Sequence, residues 1–93
     1  MLKSLIHEKR VGESYPLQVD FSNRLTGTLE SAVVSSGSVM AETGITIGSV
    51  SSTSTTVQFG LSGGAAGESY SILVQAELST GAIVQELVVV EVI

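Results

Sequence analysis

Residues 70–93 read YSILVQAELSTGAIVQELVVVEVI and form the most regular pattern in this 93-residue chain. Between Tyr70 and Leu78 every second side chain is apolar, which is the period of a strand with one buried face. Ser79-Thr80-Gly81 then has the composition of a short hairpin turn, and residues 82–93 return as a second strand. This end of the chain is therefore predicted to form an antiparallel hairpin.

The part of the chain before this hairpin also reads as short strands separated by turns. β-Branched residues, serine and glycine fill it, and this composition favours strands and turns over helices. The predicted strands are 17–21, 28–35, 39–41, 45–50 and 53–61, with a break at 35–38 and a glycine-rich loop at 62–67. About seven strands at this spacing are typical of an all-β sandwich or a small barrel, and the length favours an open two-sheet antiparallel sandwich.

Composition limits the classes of protein that fit. The chain has the length of one domain, and 43% of its residues are hydrophobic. It has no cysteine, which excludes disulfides, thiolate metal sites and a cysteine nucleophile. No apolar run approaches about 18 residues, so the sequence offers no candidate transmembrane helix.

The charges are few and unevenly distributed. The net charge is −5, and the basic residues all lie in the first 24 positions: Lys3, Lys9, Arg10 and Arg24. Every charged residue after position 24 is a glutamate: Glu30, Glu42, Glu68, Glu77, Glu86 and Glu91. Because such a body repels a phosphate backbone, we expect no nucleic-acid contact by the folded domain.

Residues 1–12, MLKSLIHEKRVG, are predicted to form an N-terminal arm, and residues 13–93 are predicted to form the sandwich. The arm holds three of the four basic residues and shows no strand alternation, so we expect it to be detached from the core or extended onto a neighbouring subunit. Lys3, Lys9 and Arg10 are candidate contacts for an acidic partner, with a solvated tail as the alternative. The segment lacks an apolar h-region and a small-residue cleavage site, which predicts synthesis without Sec export.

Tyr70 opens its strand directly after a glycine-rich loop that ends at Gly67. This is the setting of a tyrosine corner, in which the phenol hydrogen-bonds to upstream backbone at the turn between the two sheets. An ordinary half-buried strand tyrosine is the alternative. The corner hypothesis gives Tyr70 and Gly67 structural roles.

The C-terminal strand lacks a polar face. After Glu86 both of its faces are mostly apolar, whereas a two-layer sandwich buries only one face of a strand against its own core. We predict that one face lines the core and the other contacts a neighbouring chain, with cover by a loop or by the N-terminal arm as the alternative. The sequence does not decide between the faces, so the candidate interface residues are Leu87, Val88, Val89, Val90, Val92 and Ile93.

Few residues have the chemistry of a catalytic or metal site. His7 is the only histidine and lies in the segment least expected to be fixed, so we interpret it as a solvated tail residue. The carboxylates are scattered along separate strands, which favours solvated strand faces over a catalytic pair. Residues 62–67 lack the Lys-Ser/Thr ending of a phosphate loop. We therefore predict no enzyme, no cofactor and no metal.

Five segments together carry a resemblance to a known family: LQVDFS at 17–22, GITI at 44–47, STTV at 54–57, LSGGAAGESY at 61–70 and STG at 79–81. In these segments the chain resembles the small immunoglobulin-like virion proteins of tailed bacteriophages, including those called fiber–tail adaptors. Phe21 and Phe59 stand where that family usually has tryptophan, and the final strand lacks the family's arginines.

The resemblance implies an immunoglobulin-like sandwich and a virion structural protein that docks on other virion proteins, in the tail, fiber, head–tail junction or capsid. It also implies several copies in one assembly, synthesis in the host cytoplasm and no membrane partner. The alternatives are an immunoglobulin-like module of a bacterial surface or secreted protein, and a small β-fold enzyme.

Overall fold

Seven strands and one short helical turn make up the computed structural model, which describes residues 4–25 and 32–93. The strands are β1 (Ser4–Lys9), β2 (Tyr15–Asp20), β3 (Val34–Ala41), β4 (Ile45–Ser52), β5 (Thr56–Gly63), β6 (Ser69–Leu78) and β7 (Ile83–Val92). A single 3-10 turn, Ser22–Arg24, follows β2.

The strands form two sheets, with the orders β1-β7-β6-β3 and β2-β5-β4. The second, fifth and fourth strands share one sheet, and the third, sixth and seventh share the other, as in an immunoglobulin sandwich. The prediction of an all-β, two-sheet sandwich is confirmed. The expectation that every pair is antiparallel is wrong at one place, because β1 runs parallel to β7.

The core lies between the two sheets and follows the alternation read from the sequence. Along β6 and β7 every even-numbered side chain is buried, whereas the odd-numbered ones are half-buried or exposed. The buried side chains of β6 and β7 pack in one core with Val57, Phe59 and Leu61 of β5. Val19 of β2 and Phe21, just after β2, belong to the same core. An apolar side chain of this size contributes about 1.5–3 kcal/mol when it is fully buried, so this row holds the two layers together.

The N-terminal segment corrects our prediction of a detached arm. Residues 4–9 are a strand of the sandwich, in register with residues 87–92 of β7. The Lys9 side chain is only 1% exposed, and its ammonium donates to the Gly63 carbonyl oxygen at 2.9 Å and to the Arg10 carbonyl oxygen at 3.1 Å. A lysine at an inward position hides the apolar alternation, which is why the strand could not be read from the sequence.

β3 corrects a second prediction, since it is continuous through the expected break at 35–38. Gly37 fits there because a Cβ at this position would lie 2.8 Å from the methyl carbons of Val57. The Ser35 hydroxyl donates to the Glu77 carbonyl oxygen at 2.9 Å, so the serines support the pairing with β6. Half of the predicted strand 28–35 lies outside the described residues, and only Val34 and Ser35 of it belong to β3.

The loop between β5 and β6 crosses from one sheet to the other, and Tyr70 stands at its end. The Ala65 amide donates to the Tyr70 hydroxyl oxygen at 2.9 Å, which is the bond to upstream backbone that the corner hypothesis requires. Gly44 packs against the ring, where a Cβ would lie 2.9 Å from a ring carbon. Gly67 has a φ of 82°, which favours glycine, and its amide donates to the Val92 carbonyl oxygen at 2.8 Å.

We expect Tyr70→Phe to lower the free energy of unfolding by about 1 kcal/mol, because it removes the acceptor of the Ala65 amide and leaves the ring in place. Urea denaturation of the two proteins would measure the difference. Identical midpoints with identical slopes would show that the hydroxyl contributes nothing to the corner.

Candidate docking surface

The four-stranded sheet has one face against the core and one face toward solvent. The solvent-facing positions on β6 and β7 are the odd-numbered ones, because side chains alternate along a strand. The register places Leu73 opposite both Leu87 and Met40, and it places Ile6 of β1 opposite Val89 in the next row. We call these five residues the docking face.

The docking face is apolar across all four strands. Ile6 is 71% exposed and Met40 is 60% exposed, whereas Leu73, Leu87 and Val89 are half-buried by their neighbours. Side chains at adjacent register positions lie close enough to touch, so the five form one patch. A contiguous apolar patch in solvent is typical of a surface that another protein covers.

Polar and acidic side chains surround the docking face. The Gln85 amide donates to the Gln75 side-chain oxygen at 2.8 Å, directly beside the patch. Glu8 and Glu91 lie opposite each other at one end of the sheet, and Glu77 lies toward the other end. All three carboxylates are exposed. An apolar centre within a polar rim is the usual anatomy of a protein interface.

The structure separates the predicted interface residues into two groups. Val88, Val90 and Val92 are buried in the core, and Lys9 is buried beside it, so offering these four as contacts for a partner is wrong. Leu87 and Val89 belong to the docking face, whereas Ile93 is exposed just after β7 and Arg10 is exposed just after β1. Lys3 lies outside the described residues.

Three residues of the docking face were missed in the sequence. Leu73 interrupts the polar positions of an otherwise alternating strand, and this irregularity was a usable signal. Ile6 and Met40 carried no comparable signal, since their exposure depends on β1 pairing with β7 and on β3 pairing with β6.

His7 is held in place by β1, which corrects its interpretation as a solvated tail residue. Its Nε2 atom lies 2.6 Å from the Tyr15 hydroxyl, and the two rings meet edge to face. Burial, with the nearby Glu13 carboxylate as the smaller cause, raises the pKa of Tyr15 above its usual value. This pair links the edge strands of the two sheets.

Glu86 is also not the solvated carboxylate that its sequence context suggested. It is 6% exposed on the core side of β7, and Arg24 Nη1 donates to its Oε1 atom at 3.2 Å and to the Gln85 carbonyl oxygen at 2.8 Å. Arg24 follows β2, so the ion pair ties one sheet to the other. The position of this ion pair inside the sandwich gives it a structural role.

The described residues, 4–25 and 32–93, bring no three histidine, aspartate or glutamate side chains together in a way that would hold a metal ion. Among the same residues, no helix has the length and apolarity needed to cross a membrane.

An immunoglobulin-like sandwich that exposes an apolar sheet face within a polar and acidic rim has the features of a protein-interaction module. The chain belongs to the family described as the podophage GP4 fiber-tail adaptor protein gp77, whose model matches residues 9–91. A search of curated proteins gives no match. The family assignment confirms the resemblance read from the sequence and does not favour the alternative of a bacterial surface module.

The chain is therefore a virion structural protein, an adaptor of the fiber-tail type that docks on other virion proteins. Its family is a structural one, and the docking face is a part of the described surface that has the physical character of a contact site.

Proposed function

We propose that this fiber-tail adaptor docks on a neighbouring virion protein through the docking face and that it works by docking alone, without catalysis. The observation that supports the proposal is the row of apolar side chains exposed at adjacent register positions, most fully at Ile6 and Met40. Each stabilises the contact when a partner covers it, by up to about 1.5–3 kcal/mol for a fully buried aliphatic side chain.

The proposal includes the other partners that the sequence predicted. The net charge of −5 argues against contact with nucleic acid and with anionic lipid, since both repel a carboxylate-rich surface. We propose that several copies act in one assembly and that the protein is made in the host cytoplasm before it joins the particle. Leu87 and Val89 are the predicted interface residues that this proposal retains.

The test uses phage particles assembled without this protein, to which the purified full chain is added. The double variant Ile6→Ser and Met40→Ser removes the two most exposed side chains of the docking face, and Val50→Ser on β4 of the other sheet is the matched control. We expect the double variant to bind at least about tenfold more weakly, because it forfeits apolar burial at the contact, while the control binds as the unchanged chain does. Co-sedimentation measures binding.

Equal melting temperatures for the three proteins would exclude unfolding as the cause of any loss. Binding of the double variant at the unchanged affinity would place the contact on another surface and would overturn the proposal.

A further inference from the structure

We propose that the surface which the docking face meets is basic, with an apolar centre surrounded by lysine and arginine side chains. This inference rests on the proposed function and adds the chemistry of the partner to it. The occupant is another virion protein, and its charge is argued from the distribution of carboxylates over the two sheets.

The acidic residues of the strands are concentrated on the four-stranded sheet. Its outward positions carry Glu8, Glu77 and Glu91, and Glu42 directly follows β3, where its carboxylate accepts the Ser71 amide of β6. The three strands of the other sheet carry one charged residue in total, Asp20. None of the outward positions on β1, β3, β6 and β7 carries a lysine or arginine. The acidity therefore belongs to the side of the molecule that holds the docking face.

Two of these carboxylates face each other across neighbouring strands of the chain. Glu8 and Glu91 are register partners on neighbouring strands, and like charges at directly opposite positions destabilise a sheet. The described residues form one ion pair, between Arg24 and Glu86, and it does not neutralise this rim. A partner with basic side chains around an apolar centre would relieve the repulsion and accelerate association through complementary charge.

The test removes rim charges and compares them with a charge on the other sheet. The triple variant Glu8→Gln, Glu77→Gln and Glu91→Gln keeps the shape of the rim. Glu42 is left unchanged because its carboxylate accepts a hydrogen bond from the Ser71 amide at 2.7 Å. Asp20→Asn is the single-charge control on the other sheet, since asparagine retains an oxygen for the Ser22 amide that now donates to Asp20 and lowers its pKa.

Binding to particles assembled without this protein is then measured from about 0.05 to 0.5 M NaCl, a range over which screening becomes strong. We expect the unchanged chain to bind more weakly as salt rises, and the triple variant to bind about tenfold more weakly at low salt with little salt dependence. We expect the Asp20→Asn protein to behave as the unchanged chain does.

Three results would overturn the basic partner. The first is that the triple variant binds as the unchanged chain does at every salt concentration. The second is that the triple variant binds more tightly, which would indicate an acidic partner. The third is an equal loss per charge removed with Asp20→Asn, because net charge alone would then explain the effect. If the Ile6→Ser and Met40→Ser protein loses binding in these same cases, the docking face stands and only its charge preference fails.

Discussion

Val88→Asp should prevent the chain from folding, whereas Val89→Asp, one residue away, should leave it folded and unable to dock. Val88 is 2% exposed and lies in the core between the sheets, while Val89 is half-buried on the docking face. An unpaired carboxylate at Val88 costs at least about 4 kcal/mol, a large part of the stability of a domain this small. At Val89 the carboxylate stays in water, and we expect a cost below about 1 kcal/mol.

Circular dichroism and urea denaturation of the two variants measure the first half of this expectation, and co-sedimentation with particles lacking the protein measures the second. Val88→Ala controls for the loss of apolar volume and should fold, with a smaller loss of stability. A folded Val88→Asp protein would mean that β7 is turned the other way. An unfolded Val89→Asp protein would mean that both faces of the strand are internal and that the contact lies elsewhere.

The β6–β7 hairpin and the sandwich could be predicted because each depends on a local pattern. Tyr70 and the side chains that follow it alternate with a period of two, and one buried face produces that period whatever the rest of the chain does. The orientation of β7 could not be predicted, since both of its faces are apolar. Pairing with β6 and β1 decides it, and pairing is a long-range property.

The missed elements share a physical cause. Lys9 and Glu86 are charged residues at inward positions, where each finds hydrogen-bond partners far away in sequence, so their local sequence reads as solvated. Gly37 reads as a break, although it serves close packing against Val57 of the other sheet. The docking face combines residues of four strands, and its outline therefore became visible only once the register was known.

Deleting residues 1–9 should destabilise the domain strongly, which reverses the expectation for a detached arm. The deletion removes the six register pairs of β1 with β7 and leaves the edge of β7 open. It also removes the buried Lys9 side chain, which bonds to the end of β5 through Gly63. We expect the melting temperature to fall by at least about 8 °C, because a loss of about 2–3 kcal/mol shifts a domain of this size by about 4–8 °C per kcal/mol.

Two controls test whether the loss of stability comes from the loss of β1 as a strand. Lys9→Met keeps β1 and its ladder while removing the ammonium, so it should cost less than the deletion does. A synthetic peptide of residues 1–12, added to the truncated chain, should bind the open edge of β7 and recover part of the lost stability, as strand addition to a sheet edge does.

Light scattering should also show that the truncated chain associates, because an open apolar edge strand pairs with other copies. An unchanged melting temperature after the deletion would show that β1 adds nothing to the sandwich, and the segment would then be free to reach a neighbouring protein.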